Sequence, residues 1–326
     1  MKNFSMPTFN FVFLATSAIF FTASSSLANE INKPEDFPVR PVNMIVPFGS
    51  GGGSDQFARA IAPAMAKIME TPIMVENKPG GSGRAAIPDF MSAPANGYTL
   101  LQFSDDVFSH YSAGRINENP TTDWTPIGIG NIEFAQVYIR SDDPRFSDWD
   151  TFVDYVKENP ETSTIANISH AASLELISVN ALTEGAGINL QQVSFDRPAE
   201  RYSALVGGHV DSLFEQPGGV ASLLEAGVIK PIVTMLNERP ENFPDVPSLN
   251  DVDIDFEPMV RARGIFVRSE TPEDRIEYLE SVFNQAYQSE EFQRFLEQKN
   301  MLGNNNYLNR EDSIELIDSM VESFRR

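Results

Sequence analysis

The sequence predicts an α/β protein whose strands lie in parallel or mixed sheets joined by crossover helices. Three observations predict it. Short apolar runs empty into glycine clusters that open helices; strand-like and helix-like segments alternate along most of the chain; and the tail is helical. The 326 residues leave room for two domains of roughly 100 to 200 residues each.

At the N-terminus, Lys2 precedes an apolar run from Phe11 to Ala23 and the small-residue stretch Ser24-Ser25-Ser26-Leu27-Ala28, which is the pattern of a secretory signal peptide over residues 1–28. The run falls short of the roughly 18 to 20 apolar residues that span a bilayer. The mature chain is expected to start near Asn29.

The first strand and helix carry the most information. Met44-Ile45-Val46-Pro47-Phe48 runs into Gly49-Ser50-Gly51-Gly52-Gly53-Ser54-Asp55 and then into an amphipathic segment. The first amides of a helix have no intrahelical acceptor, so a loop without Cβ atoms can seat an anion at the positive end of the helix dipole. Glycine clusters also make plain tight turns, and both readings stand at this point. Asp55 is expected to cap the helix, whose Phe57, Ile61, Met65 and Ile68 share one face, and Pro63 to kink it.

Next come a short strand at Ile73-Met74-Val75, a second glycine cluster at Lys78-Pro79-Gly80-Gly81-Ser82-Gly83-Arg84 opening a helix, and a turn into a strand at Gly97-Tyr98-Thr99-Leu100-Leu101. Strands are then expected at Phe134–Ile139, Thr164–Ala166, Val210–Phe214 and Ile229–Thr234. Helices are expected at Asp148–Lys157, His170–Leu182 and Gly219–Ala226. In the tail, Thr271-Pro272 and Ser289 read as helix starts, and Ile314, Ile317, Met320, Val321 and Phe324 form an apolar stripe. Trp124 and Trp149 each stand alone and read as packing residues, not a sugar platform.

Without cysteine the chain can form no disulfide and carry no lipidated N-terminal cysteine, so its stability rests on its core. The formal charge of -22 becomes about -23 once Lys2 is removed. Such a surface repels nucleic acid and anionic lipid. It does not forbid a small anion, because distant charge is screened over about 8 Å at physiological ionic strength.

Catalysis finds little support. Ser54-Asp55 with His110, His170 and His209 could supply the residue types of a triad, making a hydrolase the alternative of another class, but no G-x-S-x-G elbow is present. Gly81-Ser82-Gly83-Arg84-Ala85-Ala86 fits G-x-G-x-x-A formally, a weak signal alone. Clustered histidine and cysteine are absent, so no metal or cofactor is expected. The pairs Asp105-Asp106 and Asp142-Asp143 lack the spacing of a calcium loop and read as solvated turns.

Taken in order, several stretches resemble the Bug-type solute-binding receptors of tripartite tricarboxylate transporters. They are Phe37-Pro38-Val39-Arg40-Pro41, Ile45-Val46-Pro47-Phe48 with its glycine loop, Val75-Glu76-Asn77-Lys78-Pro79-Gly80, Asn96-Gly97-Tyr98-Thr99-Leu100-Leu101, Leu205-Val206-Gly207-Gly208-His209-Val210-Asp211, Phe243-Pro244-Asp245-Val246-Pro247-Ser248 and Arg263-Gly264-Ile265-Phe266. The resemblance implies a periplasmic two-lobed binding protein of the Venus-flytrap, type II-like kind, each lobe a mixed sheet flanked by helices. Lobe 1 would be discontinuous, 29–130 and 256–326, with lobe 2 at 131–255. Such a receptor holds a small carboxylate between its lobes and delivers it to a two-subunit membrane permease, acting as a monomer. A receptor of the same fold could instead report to a membrane sensor, and neighbouring genes for permease subunits or for a sensor kinase would separate the two.

Carried over by position, the ligand-binding candidates are Phe48, Gly49, Ser50, Gly51, Gly52, Ser54 and Asp55, with Gly81 to Gly83 in support, then Ser104 and Asp105. The second lobe would add Asn167, Ser169 and His170, Phe195 and Arg197, and Glu215. The family pattern commonly has a glycine-rich turn and His-Leu near Asn167, Tyr-Lys-Gly in place of Phe195-Asp196-Arg197, and Asp-Asn in place of Glu215-Gln216. Arg197, Arg261 and Arg263 lie near expected cleft loops, and a guanidinium grips a carboxylate with two parallel hydrogen bonds. They point to a di- or tricarboxylate, aromatic acids included, with an interlobe or surface salt bridge as the competing use of each arginine.

Overall fold

The computed structural model describes residues 32–168, 173–195, 197–299 and 307–325. The signal-peptide segment and the candidates Ser169 and His170 lie outside the described residues.

Two five-stranded mixed sheets organise the chain. The first has the order β2(Ile73–Asn77), β1(Val42–Val46), β3(Thr99–Ser104), β10(Arg261–Arg268), β4(Trp124–Glu133). The second runs β7(Gln191–Ser194), β6(Thr164–Asn167), β8(Ser212–Glu215), β5(Gln136–Arg140), β9(Ile229–Thr234). In each, the first three strands are parallel and the fourth is antiparallel to both neighbours. The antiparallel strand is the one the chain enters after crossing from the other sheet. Phe134-Ala135 connects β4 to β5, and residues 235–260 connect β9 to β10.

Crossover helices cover the sheets, as parallel pairing requires. They are α1(Gly53–Met69), α2(Ile87–Ser92) after a 3₁₀ turn at Gly81–Ala86, α3(Asp105–Ser112), α4(Trp149–Glu158), α5(Leu174–Ala186), α6(Pro198–Val206) and α7(Ala221–Glu225). The tail supplies α8(Glu273–Tyr287), α9(Glu290–Gln298) and α10(Arg310–Ser323). Phe57, Ile61 and Met65 are buried on α1, and Ile317, Met320, Val321 and Phe324 are buried at or just after α10, where the apolar spacing puts them. Trp124 packs edge-on against Phe90, and Trp149 lies beside Phe152.

Several local expectations are corrected. Gly52, not Asp55, is the N-cap of α1, and the helix runs through Pro63. Pro272 is the cap of α8, and Asp148 caps α4 by accepting from the Thr151 amide. Of the acidic pairs only Asp142 stands in an exposed turn, whereas Asp105, Asp106 and Asp143 are buried beside arginines. Among the described residues no helix is long and apolar enough to cross a membrane.

Candidate functional site

α1, α3 and α5 follow the C-terminal ends of β1, β3 and β6, and Glu215 is the last residue of β8. In open α/β sheets this is where ligands bind, because the helix N-termini that follow the strands point there.

The glycine loop is braced from beneath by Asp55 and Asn77. Asp55 Oδ2 accepts from the Gly51 amide at 2.8 Å, and Oδ1 accepts from Arg59 Nε at 2.8 Å and Asn77 Nδ2 at 2.9 Å. Asn77 also donates to the Phe48 carbonyl at 2.9 Å, while its Oδ1 accepts from Ser50 Oγ at 3.2 Å and from Arg59 at 2.8 Å. The carboxylate of Asp55 is thus spent on the loop's shape. The amides of Gly53 and Ser54, in the first turn of α1, have no preceding carbonyl in the helix, and glycine at the N-cap offers no side chain to cover them. Gly49, Ser50 and Gly51 are exposed, whereas Ser54 is buried. The ring of Phe48 lies on Gly83, where an added Cβ would stand 3.3 Å from Phe48 Cζ, so the second glycine cluster packs against the first loop.

Two contacts fix what faces this loop. A Cβ on Gly52 would lie 3.8 Å from Pro198 Cγ, which brings the N-terminus of α6 from the second half against the N-terminus of α1. A Cβ on Gly53 would lie 2.5 Å from Arg263 Nη2, so the guanidinium of Arg263 rests directly on the start of α1.

Behind the loops lies a buried network of five carboxylates and three guanidiniums, formed by Asp105, Asp106, Glu133, Glu175, Glu215, Arg201, Arg261 and Arg263. Arg263 pairs with Glu133 and donates to Asn131 Oδ1 at 2.7 Å. Arg261 reaches Asp105 at 3.4 Å, Asp106 at 3.7 Å and Glu175 at 3.5 Å. Arg201 pairs with Glu175 at 3.2 Å and with Glu215, whose carboxylate also accepts from Tyr202 at 2.8 Å and from the Gln216 amide at 2.9 Å. Among the candidates, then, Asp105, Glu215 and Arg263 belong to this network. Ser104 donates to Asp106 at 3.1 Å. Asn167 is buried at the end of β6, where it donates to Gln192 and its carbonyl accepts from the Phe195 amide at 3.1 Å. Arg197 stands apart, with a side chain 79% exposed and 3.3 Å from Glu200.

Sequence reading missed Arg201, Glu175 and Glu133. Their signal was a charge set in an apolar run, as in Leu174-Glu175-Leu176 and Ile132-Glu133-Phe134. Such a residue must find a buried partner to be tolerated.

Burial shifts the titration of this network. It pushes Asp105 from 3.8 up to about 7, against the pull of Arg261, raises Glu175, and pulls Arg263 down to about 10. Because the folded state holds the Asp105 proton more tightly than the unfolded chain, its stabilising effect is complete below about pH 4 and is lost as pH rises through about 7. Thermal melts of wild type and Asp105→Asn across this range are expected to converge or cross as pH rises, with wild type losing ground to the variant. Parallel curves would show that Asp105 does not titrate there.

The model of the tripartite tricarboxylate transporter family receptor matches residues 57–325. A UPF0065 protein of Bordetella pertussis is 27% identical over 286 residues, covering 87% of this chain and 85% of the relative. Among solved structures, MatC from Rhodopseudomonas palustris with bound malate superposes with a TM-score of 0.77 at 24% identity, covering 89% of this chain and 99% of the other. A second R. palustris protein, solved with adipate, gives 0.77 at 20% identity, covering 89% and 96%.

Proposed function

The chain belongs to the tripartite tricarboxylate transporter receptor family, and from that premise we propose that it is a periplasmic receptor that captures a small dicarboxylate or tricarboxylate, aromatic acids included, between its two halves. It then delivers the acid, as a monomer, to a two-subunit membrane permease. In this reading lobe 1 comprises 29–130 and 256–326, and lobe 2 comprises 131–255. The observation that carries the proposal is the facing of two helix N-termini across the cleft, α1 behind an uncapped glycine loop and α6 behind Arg197-Pro198. Uncapped amides and two positive dipole ends favour a carboxylate there without a buried lysine or arginine being freed for it. Solved neighbours of the same fold hold malate and adipate, both dicarboxylates.

Not every arginine is equally able to read the second carboxylate. Arg201, Arg261 and Arg263 each have buried acid partners, and a ligand would have to displace a carboxylate that then stays buried without its cation, which is strongly unfavourable. Arg197 gives up only an exposed pair worth about 0 to 1 kcal/mol. Arg197 is therefore the reader.

The test is a calorimetric and thermal-shift panel of mono-, di- and tricarboxylates on the mature chain and on Arg197→Ala. The expected result is selective binding of one di- or tricarboxylate, weakened about tenfold by Arg197→Ala, or about 1.4 kcal/mol, with monocarboxylate analogues little affected. Binding of no acid would overturn the receptor reading. An equal loss for mono- and dicarboxylates would remove Arg197 from the role.

A further inference from the structure

Arg261 and Glu175 meet from opposite halves of the molecule. Arg261 opens β10 in the first sheet, whereas Glu175 sits in the first turn of α5, which connects β6 to β7 in the second. Arg261 Nη2 lies 3.5 Å from Glu175 Oε1, and both residues are buried.

What each residue holds besides the other is as informative as the pair. Arg261 also contacts Asp105 and Asp106, both at the start of α3 in its own half. Glu175 also holds Arg201 on α6 and accepts from the Ile168 amide just after β6, both in its own half. If the halves part, neither charge is stranded, because Arg261 keeps its two aspartates and Glu175 keeps Arg201. A cross-half pair whose members are each insured at home can break and re-form. Parting the halves would also undo the approach of Pro198 to Gly52, so the two contacts favour the same closed arrangement.

We propose that Arg261 and Glu175 form a reversible clasp that keeps a closed state populated when no ligand is bound. The inference rests on the receptor reading for its purpose, since a pre-closed fraction sets how much of the binding free energy goes into closure. Its observable needs no ligand. Opening exposes both charges to water, which offsets much of their attraction, so the clasp biases the equilibrium and does not lock it.

The chain contains no cysteine, so Ser92→Cys in one half and Glu225→Cys in the other, both at exposed positions, give a unique spin-label pair for pulsed electron–electron distance measurement on the ligand-free protein. The expected result is a two-component distance distribution in which Glu175→Gln lowers the closed-to-open ratio about tenfold. Arg261→Lys, which keeps a charge beside Asp105 and Asp106 but shortens the reach to Glu175, should act in the same direction and provides the reading if Glu175→Gln does not fold. Asp143→Asn breaks an ion pair with Arg140 and Arg145 inside one half and should leave the ratio unchanged. A single open distance in wild type, or an unchanged ratio in both clasp variants with folding confirmed by circular dichroism, would overturn the clasp. Neither outcome bears on which acid binds, so the clasp and the receptor reading fail separately.

Discussion

Arg201→Ala is expected to cost about 3 to 5 kcal/mol of folding stability, the range seen when one partner of a buried ion pair is removed. The reason lies in what the truncation leaves behind. Arg201 is 3% exposed and stands between Glu175 and Glu215, which are themselves 1% and 3% exposed. Without it, Glu215 is left in a low-dielectric interior without a cation and must take up a proton or draw in water, while Glu175 falls back on Arg261 at 3.5 Å and the Ile168 amide. Among the described residues Glu215 would retain the Tyr202 hydroxyl and the Gln216 amide. Arg197→Ala provides the contrast, since it truncates the same residue type at the cap of the same helix but at a side chain 79% exposed. Its exposed pair with Glu200 is worth at most about 1 kcal/mol. Urea denaturation of both variants measures the difference directly. If the two lie within about 1 kcal/mol of each other, the network is too hydrated to carry the energy assigned to it. A more acidic buffer should also relieve Arg201→Ala in part, because protonating Glu175, whose pKa burial already raises, removes one of the two carboxylate charges that Arg201 balanced.

The parts of this molecule that were legible in the sequence are those whose signal is local. Strand, glycine loop and helix at Val42–Met69 could be read because an apolar run, a loop without Cβ atoms and a 3.6-residue periodicity follow one another within one stretch. The cap was misplaced because Asp55 is a good cap by residue type, yet its carboxylate does a different job, reaching back to the Gly51 amide and across to Asn77. β4 was missed for a physical reason. Pro126, Gly128 and Gly130 all argue against a strand, but β4 lies at the sheet edge, where proline is tolerated, and its glycines make room for Phe283. β7, at an edge of the second sheet, is polar and half exposed and so carries no alternation. The buried network was the least legible feature. Its members come from β4, β8, β10, α3, α5 and α6, and no spacing rule brings Glu175 to Arg261 across 86 positions. Arg197, Arg261 and Arg263 were recognised as chemically significant and Arg201 was not, but only the fold reveals that Arg201, Arg261 and Arg263 are already paired inside, and that Arg197 is left near the surface.

Gly264→Ala is expected to destabilise the protein by about 3 kcal/mol or more, at the upper end of overpacking effects. β10 lies between β3 and β4, and its register with β4 shifts between Arg263 and Gly264. A Cβ at Gly264 would collide with the Gly128 carbonyl oxygen and stand 2.6 Å from Phe103 Cζ. Neither neighbour can yield easily, since the carbonyl is backbone in the adjoining strand and Phe103 is fully buried and stacked on Phe266 at 3.9 Å. The strain would be relieved only by moving β10 away from β4. That movement would carry Arg261 and Arg263 with it, loosening the pairs to Asp105, Glu133 and Glu175 and the seat of Arg263 against Gly53. Packing and site thus fail together, and the variant should lose the carboxylate binding proposed above as well as stability. Gly49→Ala is the matched control for stability, because a Cβ there meets nothing within 4 Å and should change folding by no more than about 0.5 kcal/mol. Denaturation midpoints for the two variants that coincide would mean that β10 can shift without strain, and that the close approach of β10 to β4 is not what holds the two arginines in place.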